Sequence, residues 1–359
     1  MLGMTWLEGR GAVLVRLDPL TLHTLGRQVD VGEYHSTWSF SPDASQLALG
    51  ISAPGDAGRL GIQIIDVKRM ETVGRVATGI AAEIVAWLTP DRIVASLQGG
   101  GIVLVDAASG EIVRRWPQPF LLPVTGQPKP VAYTRNGAVF LLKQARNLKS
   151  VIAFVNGHGD PGYAFVECVR STRSEWAGPG LAVDVARDRA FVVGCGARVA
   201  EIDLKTMHVR RHKVAGLDRR DRESNRHALW LENELLAVFG MDVGEHRGRR
   251  VGIPPKIQVI DTTNWRARTI DARANRAIFV AGRLLVYGSH SSGLRAYSLD
   301  GRQRFSLFSN ERIRDVRVAG TRAYVLGPNH LRTVDIKSGA VIREVPIPPG
   351  LVELIAPSR

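Results

Sequence analysis

Cysteine is nearly absent. Cys168 and Cys195 are the only two in 359 residues, too few for a disulfide framework or a four-cysteine zinc site. Long apolar runs are missing as well: the longest are four to eight residues, broken by Gly, Asp or Arg, whereas a membrane-spanning helix needs roughly 18. Aromatic residues make up only 6% of the chain, which leaves little material for base-stacking surfaces. Lysine is scarce beside arginine, 8 against 40, within a Lys plus Arg total of 48 that exceeds Asp plus Glu by 14. Such a surplus speaks to partners, with anionic surfaces foremost, and not to fold. An arginine bias spread along the chain also fits simple composition. The 45% of hydrophobic residues suffices for a sizeable core.

What the chain does contain is a recurring phrase, an apolar strand running into Asp and then a turn. It is read in VLVRLDPLTL at Asp18, IQIIDVKRM at Asp66, IVLVDAASG at Asp106, VAEIDLKTM at Asp203, IQVIDTTNW at Asp261, RAYSLDGRQ at Asp300 and LRTVDIKSG at Asp335. IAFVNGHGD sets Asn156 in the same place. The separations are 48, 40, 50, 47, 58, 39 and 35 residues, close to the roughly 40–50 of one four-stranded propeller blade. Asp or Asn suits the turn because its side chain bonds the backbone two residues on. The repeated carboxylates are therefore turn-makers, not catalysts.

The first unit supplies only three strands, between residues 4 and 31, and one extra strand, LVELIAP at 351–357, follows the last. The two ends are expected to complete one blade together, which removes free sheet edges. The fold expected is an all-β propeller forming one domain over residues 1–359, with eight blades favoured and seven as the alternative.

The phrase SFSPDASQLALGIS at 39–52 resembles the repeat signature of WD-repeat-like and YVTN-type bacterial propellers. The VDxxSGxxV phrases at Asp106 and Asp335 are similar to quinoprotein-like repeats. No Gly-His and Trp-Asp pair bounds each unit, so strict WD repeats are not expected. The quinoprotein resemblance would imply a quinone cofactor, but in VDAASGEIVRRW the tryptophan, Trp116, falls two residues later than that family's docking pattern. An adjacent cysteine pair and a calcium cage are also lacking. No cofactor is expected.

In a propeller the second-to-third strand loops and the inter-blade connections leave on one face. The long insertions at 52–61, 117–130, 143–150 and 171–180 all belong to that set, as do two more around the sixth blade. The connection 209–227 carries Arg210, Arg211, Lys213, Arg219, Arg220, Arg222 and Arg226 against three acids, a net of +4. The loop 241–256 carries Arg247, Arg249, Arg250 and Lys256 against two acids, a net of +2. Emerging side by side, they would form a basic rim, with Arg210, Arg211, Arg219, Arg220, Arg222, Arg247, Arg249 and Arg250 as the binding residues, their guanidinium forks matched to carboxylates or phosphates. Mixed-sign runs of this kind also occur as solvated loops with internal ion pairs.

Other constellations give less. His208 and His212 would converge on a metal if helical, but on a strand they stand about 13 Å apart. His290 lies among serines on a loop without a nucleophile elbow. Asp184, Asn136, Asp315 and Asn275 lie near first strands, where turn roles account for them. No catalytic or metal site is expected. Trp38, Trp87 and Trp230 recur in first strands as core, and both cysteines read as small buried hydrophobes.

The function these features favour is a non-enzymatic binding scaffold, a monomer that recognises a protein partner, or an anionic polymer such as nucleic acid, through its long-loop face. The alternatives are a propeller enzyme with a metal-dependent hydrolase or quinoprotein-like site at the central channel, and an extracytoplasmic scaffold resembling the envelope-assembly propellers. The N-terminus shows no leader pattern, so a cytoplasmic protein is expected from the sequence as written; the envelope alternative expects an extracytoplasmic one with a leader upstream of Met1.

Overall fold

The structure is a computed structural model and describes residues 1–8, 11–32, 35–51, 60–118, 121–123, 131–146, 149–156, 158, 160–170, 179–194, 197–218, 226–240, 243–246, 249–252, 256–288 and 292–357. Strands account for its regular structure, and no helix long and apolar enough to cross a membrane occurs among these residues. The strands make an eight-bladed β-propeller of antiparallel sheets.

Blade 1 contains β1 (Leu2–Leu7), β2 (Gly11–Leu17) and β3 (Thr24–Gly32), completed by β35 (Leu351–Ile355) in the order β3-β2-β1-β35. Blade 2 is β4 (His35–Phe40), β5 (Gln46–Ile51), β6 (Gly61–Asp66) and β7 (Glu71–Ala77). Blade 3 is β8 (Ala82–Thr89), β9 (Arg92–Leu97), β10 (Ile102–Asp106) and β11 (Ile112–Trp116). In blade 4 the first strand is broken: β12 (Leu121–Pro123) and β13 (Val131–Tyr133) pair with opposite ends of β14 (Ala138–Gln144), followed by β15 (Lys149–Val155) and β16 (Gly162–Arg170). Blade 5 is β17 (Gly180–Asp184), β18 (Arg189–Val193), β19 (Arg198–Asp203) and β20 (Val209–Lys213). Blade 6 is β21 (His227–Trp230), β22 (Leu235–Phe239), β25 (Ile257–Asp261) and β26 (Arg266–Asp271). Between β22 and β25 stands a separate hairpin, β23 (Val243–His246) and β24 (Arg249–Gly252). Blade 7 is β27 (Arg276–Val280), β28 (Arg283–Tyr287), β29 (Leu294–Ser298) and β30 (Gln303–Leu307); blade 8 is β31 (Asp315–Ala319), β32 (Arg322–Leu326), β33 (His330–Asp335) and β34 (Val341–Pro346).

The chain divides into two compact units, one of residues 1–115, 290–295 and 303–359, the other of 116–289 and 296–302. Within each unit, neighbouring blades cover both faces of one another's middle strands. Those strands are therefore buried through their middles, as in β5 and β19, while fourth strands such as β7 and β20 stay largely exposed. In the first unit Trp87 of β8, fully buried, packs with Ile62, Ile64 and Val76 of blade 2, a burial of about 2–3 kcal/mol. Hydroxyls tie the first strands together there: Val85 N–H donates to Thr37 Oγ1 (2.7 Å) and Trp87 N–H to Ser39 Oγ (2.9 Å). In the second unit, Val139, Leu141 and Ile152 of blade 4 meet Val183, Val192 and Ile202 of blade 5.

The repeated Asp performs the turn role expected of it. Asp18, Asp106 and Asp203 each accept N–H bonds from residues two and three positions on, and Asp66, Asp261, Asp300 and Asp335 accept one such bond. Asn156 does the same for His158. These bonds favour the ionised form, so Asp106 is drawn down to about 2, chiefly by the Ser109 amide.

Three residues before that Asp, the third strand carries a second recurring device. Gln63 of β6 donates to Asp30 O, Gln258 of β25 holds the 214–218 segment, Tyr297 Oη donates to Asp271, and Arg332 of β33 forks onto Glu311. Each of these side chains is buried and each ties down the connection or strand end arriving from the preceding blade. A polar group buried at that depth must find a partner, and the incoming backbone or carboxylate supplies it.

Strand β35 closes blade 1 as the sequence led us to expect, and it is held from both sides. Leu354 N–H donates to Asp315 Oδ2 (3.0 Å), Arg317 Nε donates to Leu354 O (2.8 Å), and Glu353 Oε1 accepts from Trp38 Nε1 (3.2 Å) and Arg317 Nη2 (3.3 Å). Asp315 and Arg317 belong to blade 8 and Trp38 to blade 2, so the closing strand is latched by its two neighbours.

Candidate binding rim on blades 5 and 6

The sequence placed Arg210 and Arg211 in the connection after blade 5. The structure places both within β20, the outer strand of that blade, where they are exposed. Strand alternation turns them to opposite sides. Arg210 shares a side with His212, whose ring stacks on Trp265 (centroids 3.6 Å apart) and bonds Glu201 (2.9 Å), while Arg211 shares a side with Lys213. These two arginines thus face opposite ways from the outer strand of blade 5. Arg219, Arg220, Arg222 and Arg247 lie outside the described residues. Arg249 and Arg250 occupy β24, in register with His246 and Glu245. The 241–256 insertion, expected as a loop, is in part this β-hairpin.

The structure defines the footing of the two insertions. Ala215 adds to the outside of β26, its N–H donating to Trp265 O (2.9 Å) and its carbonyl accepting from Ala267 N–H (2.8 Å). Gln258 then bonds Gly216 O (3.0 Å) and the Asp218 N–H (2.9 Å). Arg226, almost wholly buried, donates to Asp218 O, so the two ends of the 219–225 segment meet. Lys256, the last residue before β25, forms an ion pair with Asp218 at 2.8 Å. Both partners are about one third exposed, which limits the pair to under about 1 kcal/mol; its value is positional. It brings the end of one basic insertion onto the start of the other. Sequence reasoning missed this footing, although the buried glutamine three residues before Asp261 was a signal for it.

Beside the footing, His227 opens β21 against Phe239 (centroids 5.4 Å). Burial, with the Arg276 guanidinium adding to it, pushes its imidazole down to about 3, so the ring is neutral at physiological pH.

Around Arg189 the same unit holds a compensated charge cluster. Its guanidinium reaches Asp184 (2.7 Å), Glu201 (3.0 Å) and Glu234 (2.9 Å) and lies over the Phe191 and Trp230 rings at 5.4 and 5.6 Å. Asp184 is spent in this cluster, Asp315 in the closing latch, and Asn136 sits in a turn against Thr134 Oγ1. Among the described residues no group of three His, Cys, Asp or Glu side chains is placed to hold a metal ion. Cys168 lies in β16, and Cys195 and His290 fall outside the described residues.

No protein-family model matches the chain, and no curated protein sequence matches it. Solved structures do. The dihydro-heme d1 dehydrogenase NirN, solved in complex with DHE, superposes with a TM-score of 0.66 at 12% identity, over 96% of this chain and 73% of that one. BamB from Moraxella catarrhalis gives 0.58 at 12% identity over 90% of each chain. The β-propeller domain of Swd1 from Myceliophteria thermophila gives 0.47 at 12% identity. At this identity the first two likenesses establish the propeller and nothing finer.

Proposed function

We propose that this chain is a non-enzymatic binding platform whose propeller presents the two basic insertions of blades 5 and 6 to the acidic face of a partner protein. The observation that carries it is the Lys256–Asp218 pair, with Gln258 and Arg226 gripping the same residue, because it gives two arginine-rich segments one common base. Together the segments 214–226 and 241–256 hold eight Lys and Arg against five Asp and Glu, +3 of the net +14, beside the further Arg210, Arg211 and Lys213 of β20. Elaborated segments on a rigid scaffold are the usual seat of recognition, and clustered arginine steers and orients an acidic partner. Scarce aromatics favour a protein over single-stranded nucleic acid.

The test is retention on immobilised polyglutamate and on immobilised single-stranded DNA, with wild type beside a variant in which Arg219, Arg220, Arg222, Arg247, Arg249 and Arg250 are changed to Ser. Wild type should elute from polyglutamate at clearly higher salt than the variant. Co-elution of the two, or stronger retention on DNA, would count against the proposal.

A further inference from the structure

We infer that the outer strand of blade 5 is a docking edge for an extended acidic segment of a partner protein, which adds to β20 and sets carboxylates against Lys213 and Arg198. This deepens the binding-platform proposal, on which it rests, by naming the chemistry of the partner.

The starting point is a cross-strand pair of like charge. Arg198 opens β19 and Lys213 ends β20, directly opposite in the register. Asp203 N–H donates to His208 O (3.0 Å) and Val214 N–H to Ala197 O (3.0 Å). In an antiparallel ladder these bonds make 201/210 and 199/212 hydrogen-bonded pairs, and Arg198/Lys213 a non-bonded one. That is the pair type with the closer approach, about 4.5 Å between Cα atoms. Both side chains are exposed, and neither forms an ion pair or side-chain hydrogen bond with a described residue.

Like charges in that position destabilise a sheet, and an anion between them reverses the sign. The described carboxylates of blade 5 are committed elsewhere. Glu201 lies on the other side of β19, bound to Arg189 and His212, and Asp188 meets Lys205 at the far end of the hairpin.

The shape of the occupant follows from the ladder. β20 is the terminal strand of its sheet, and Val209, Arg211 and Lys213 turn their backbone N–H and C=O away from β19. The same three residues carry their side chains on the side of Arg198. A strand added there would place every second side chain on that side, spaced by about 6.6–7 Å. An acid-x-acid pattern therefore answers the edge. Cations on an edge strand ordinarily keep like chains from pairing edge to edge; an acidic strand is the one such a guard admits. On this side the blade itself adds Arg211 and the aliphatic Ala200, Ile202 and Val209, with Phe154 of blade 4 packed into the same cluster; blade 5 thus offers no ring of its own for a base to stack on, which favours a peptide over a nucleic acid.

The test is fluorescence anisotropy of a labelled peptide alternating Glu and Thr, titrated with the full chain. A second peptide has its alternate amides N-methylated, and a labelled oligothymidylate serves as the nucleic-acid probe. The variants are Arg198→Ser with Lys213→Ser, and Arg219→Ser with Arg220→Ser and Arg222→Ser. The alternating peptide should bind wild type, lose about tenfold in affinity for the edge variant, a larger loss than for the loop variant, and lose binding on N-methylation. The edge variant should melt no lower than wild type, since it removes a repulsion. Equal binding by the N-methylated peptide, equal binding by the edge variant, or preference for the oligonucleotide would overturn the inference. If binding is lost only in the loop variant, the docking edge fails while the platform stands; if no acidic probe binds, both fail.

Discussion

Replacing Asp315 with Ala should unlatch the closing strand without touching the core. The carboxylate accepts N–H bonds from Leu354 (3.0 Å) and Val316 (2.9 Å) and faces Arg317 at 3.5 Å. Leu354 is fully buried, so water cannot replace the lost acceptor, and an orphaned buried amide costs about 1–3 kcal/mol. Arg317 keeps Glu353 (3.3 Å) and the Leu354 carbonyl (2.8 Å), so its share of the loss is below about 1 kcal/mol. The total is about 1–4 kcal/mol. Urea unfolding followed by tryptophan fluorescence measures it, and Trp38, whose indole bonds Glu353 of the same strand, lies at the place that opens. Asp315→Asn retains one acceptor and should cost about half as much. Pairing Asp315→Ala with Arg317→Met should give a combined loss smaller than the sum, because the two share one network. A loss under about 0.5 kcal/mol for Asp315→Ala, or equal losses for Ala and Asn, would refute the latch.

Other consequences can be checked beside it. A Cβ on Gly61, whose φ is +148°, would lie 1.9 Å from the Val76 carbonyl, so Gly61→Ala should cost more than about 3 kcal/mol in the same unfolding measurement. Arg332→Met strips the cation from Glu311 (2.6 Å) and Glu344 (2.6 Å) and should cost about 2–4 kcal/mol, with Arg332→Lys intermediate because ammonium lacks the fork. His227 titrates near 6.5 when unfolded and near 3 when folded. Between those values the unfolded chain binds more protons, so stability falls as pH falls, by about 1–2 kcal/mol at pH 5. His227→Phe should remove that slope. Loss of the ionised Asp43 and Asp106, both drawn down to about 2, belongs to a lower window, below the ordinary carboxylate range.

What was legible in the sequence is what is local. Asp-centred turns announce themselves because the side chain bonds amides two and three residues away, and the closing strand announced itself because the first unit lacked one strand. The broken first strand of blade 4 was hidden in a stretch rich in proline and glycine, 117–130, which read as a connection. The stretch 143–150, read as a loop, is strand at both ends: Lys143 and Gln144 finish β14, Lys149 and Ser150 open β15, and Lys143 pairs with Ser150. Arg210 and Arg211 looked like parts of a basic loop because charge carries no period, and only the ladder with β19 shows that they sit on a strand and face opposite ways. The footing under the two insertions depends on contacts some forty residues apart in sequence, such as Gln258 with Asp218, and no local pattern records these. Its trace was a buried polar residue at a fixed offset before the repeated Asp.

The most direct measurement of the central claim is the salt dependence of affinity for polyglutamate, determined by titration for wild type and for the variant lacking Arg219, Arg220, Arg222, Arg247, Arg249 and Arg250. A recognising rim predicts affinity that falls steeply with salt in wild type, and a weaker, flatter dependence in the variant. Identical curves for the two proteins would contradict it and would make the +14 a matter of composition.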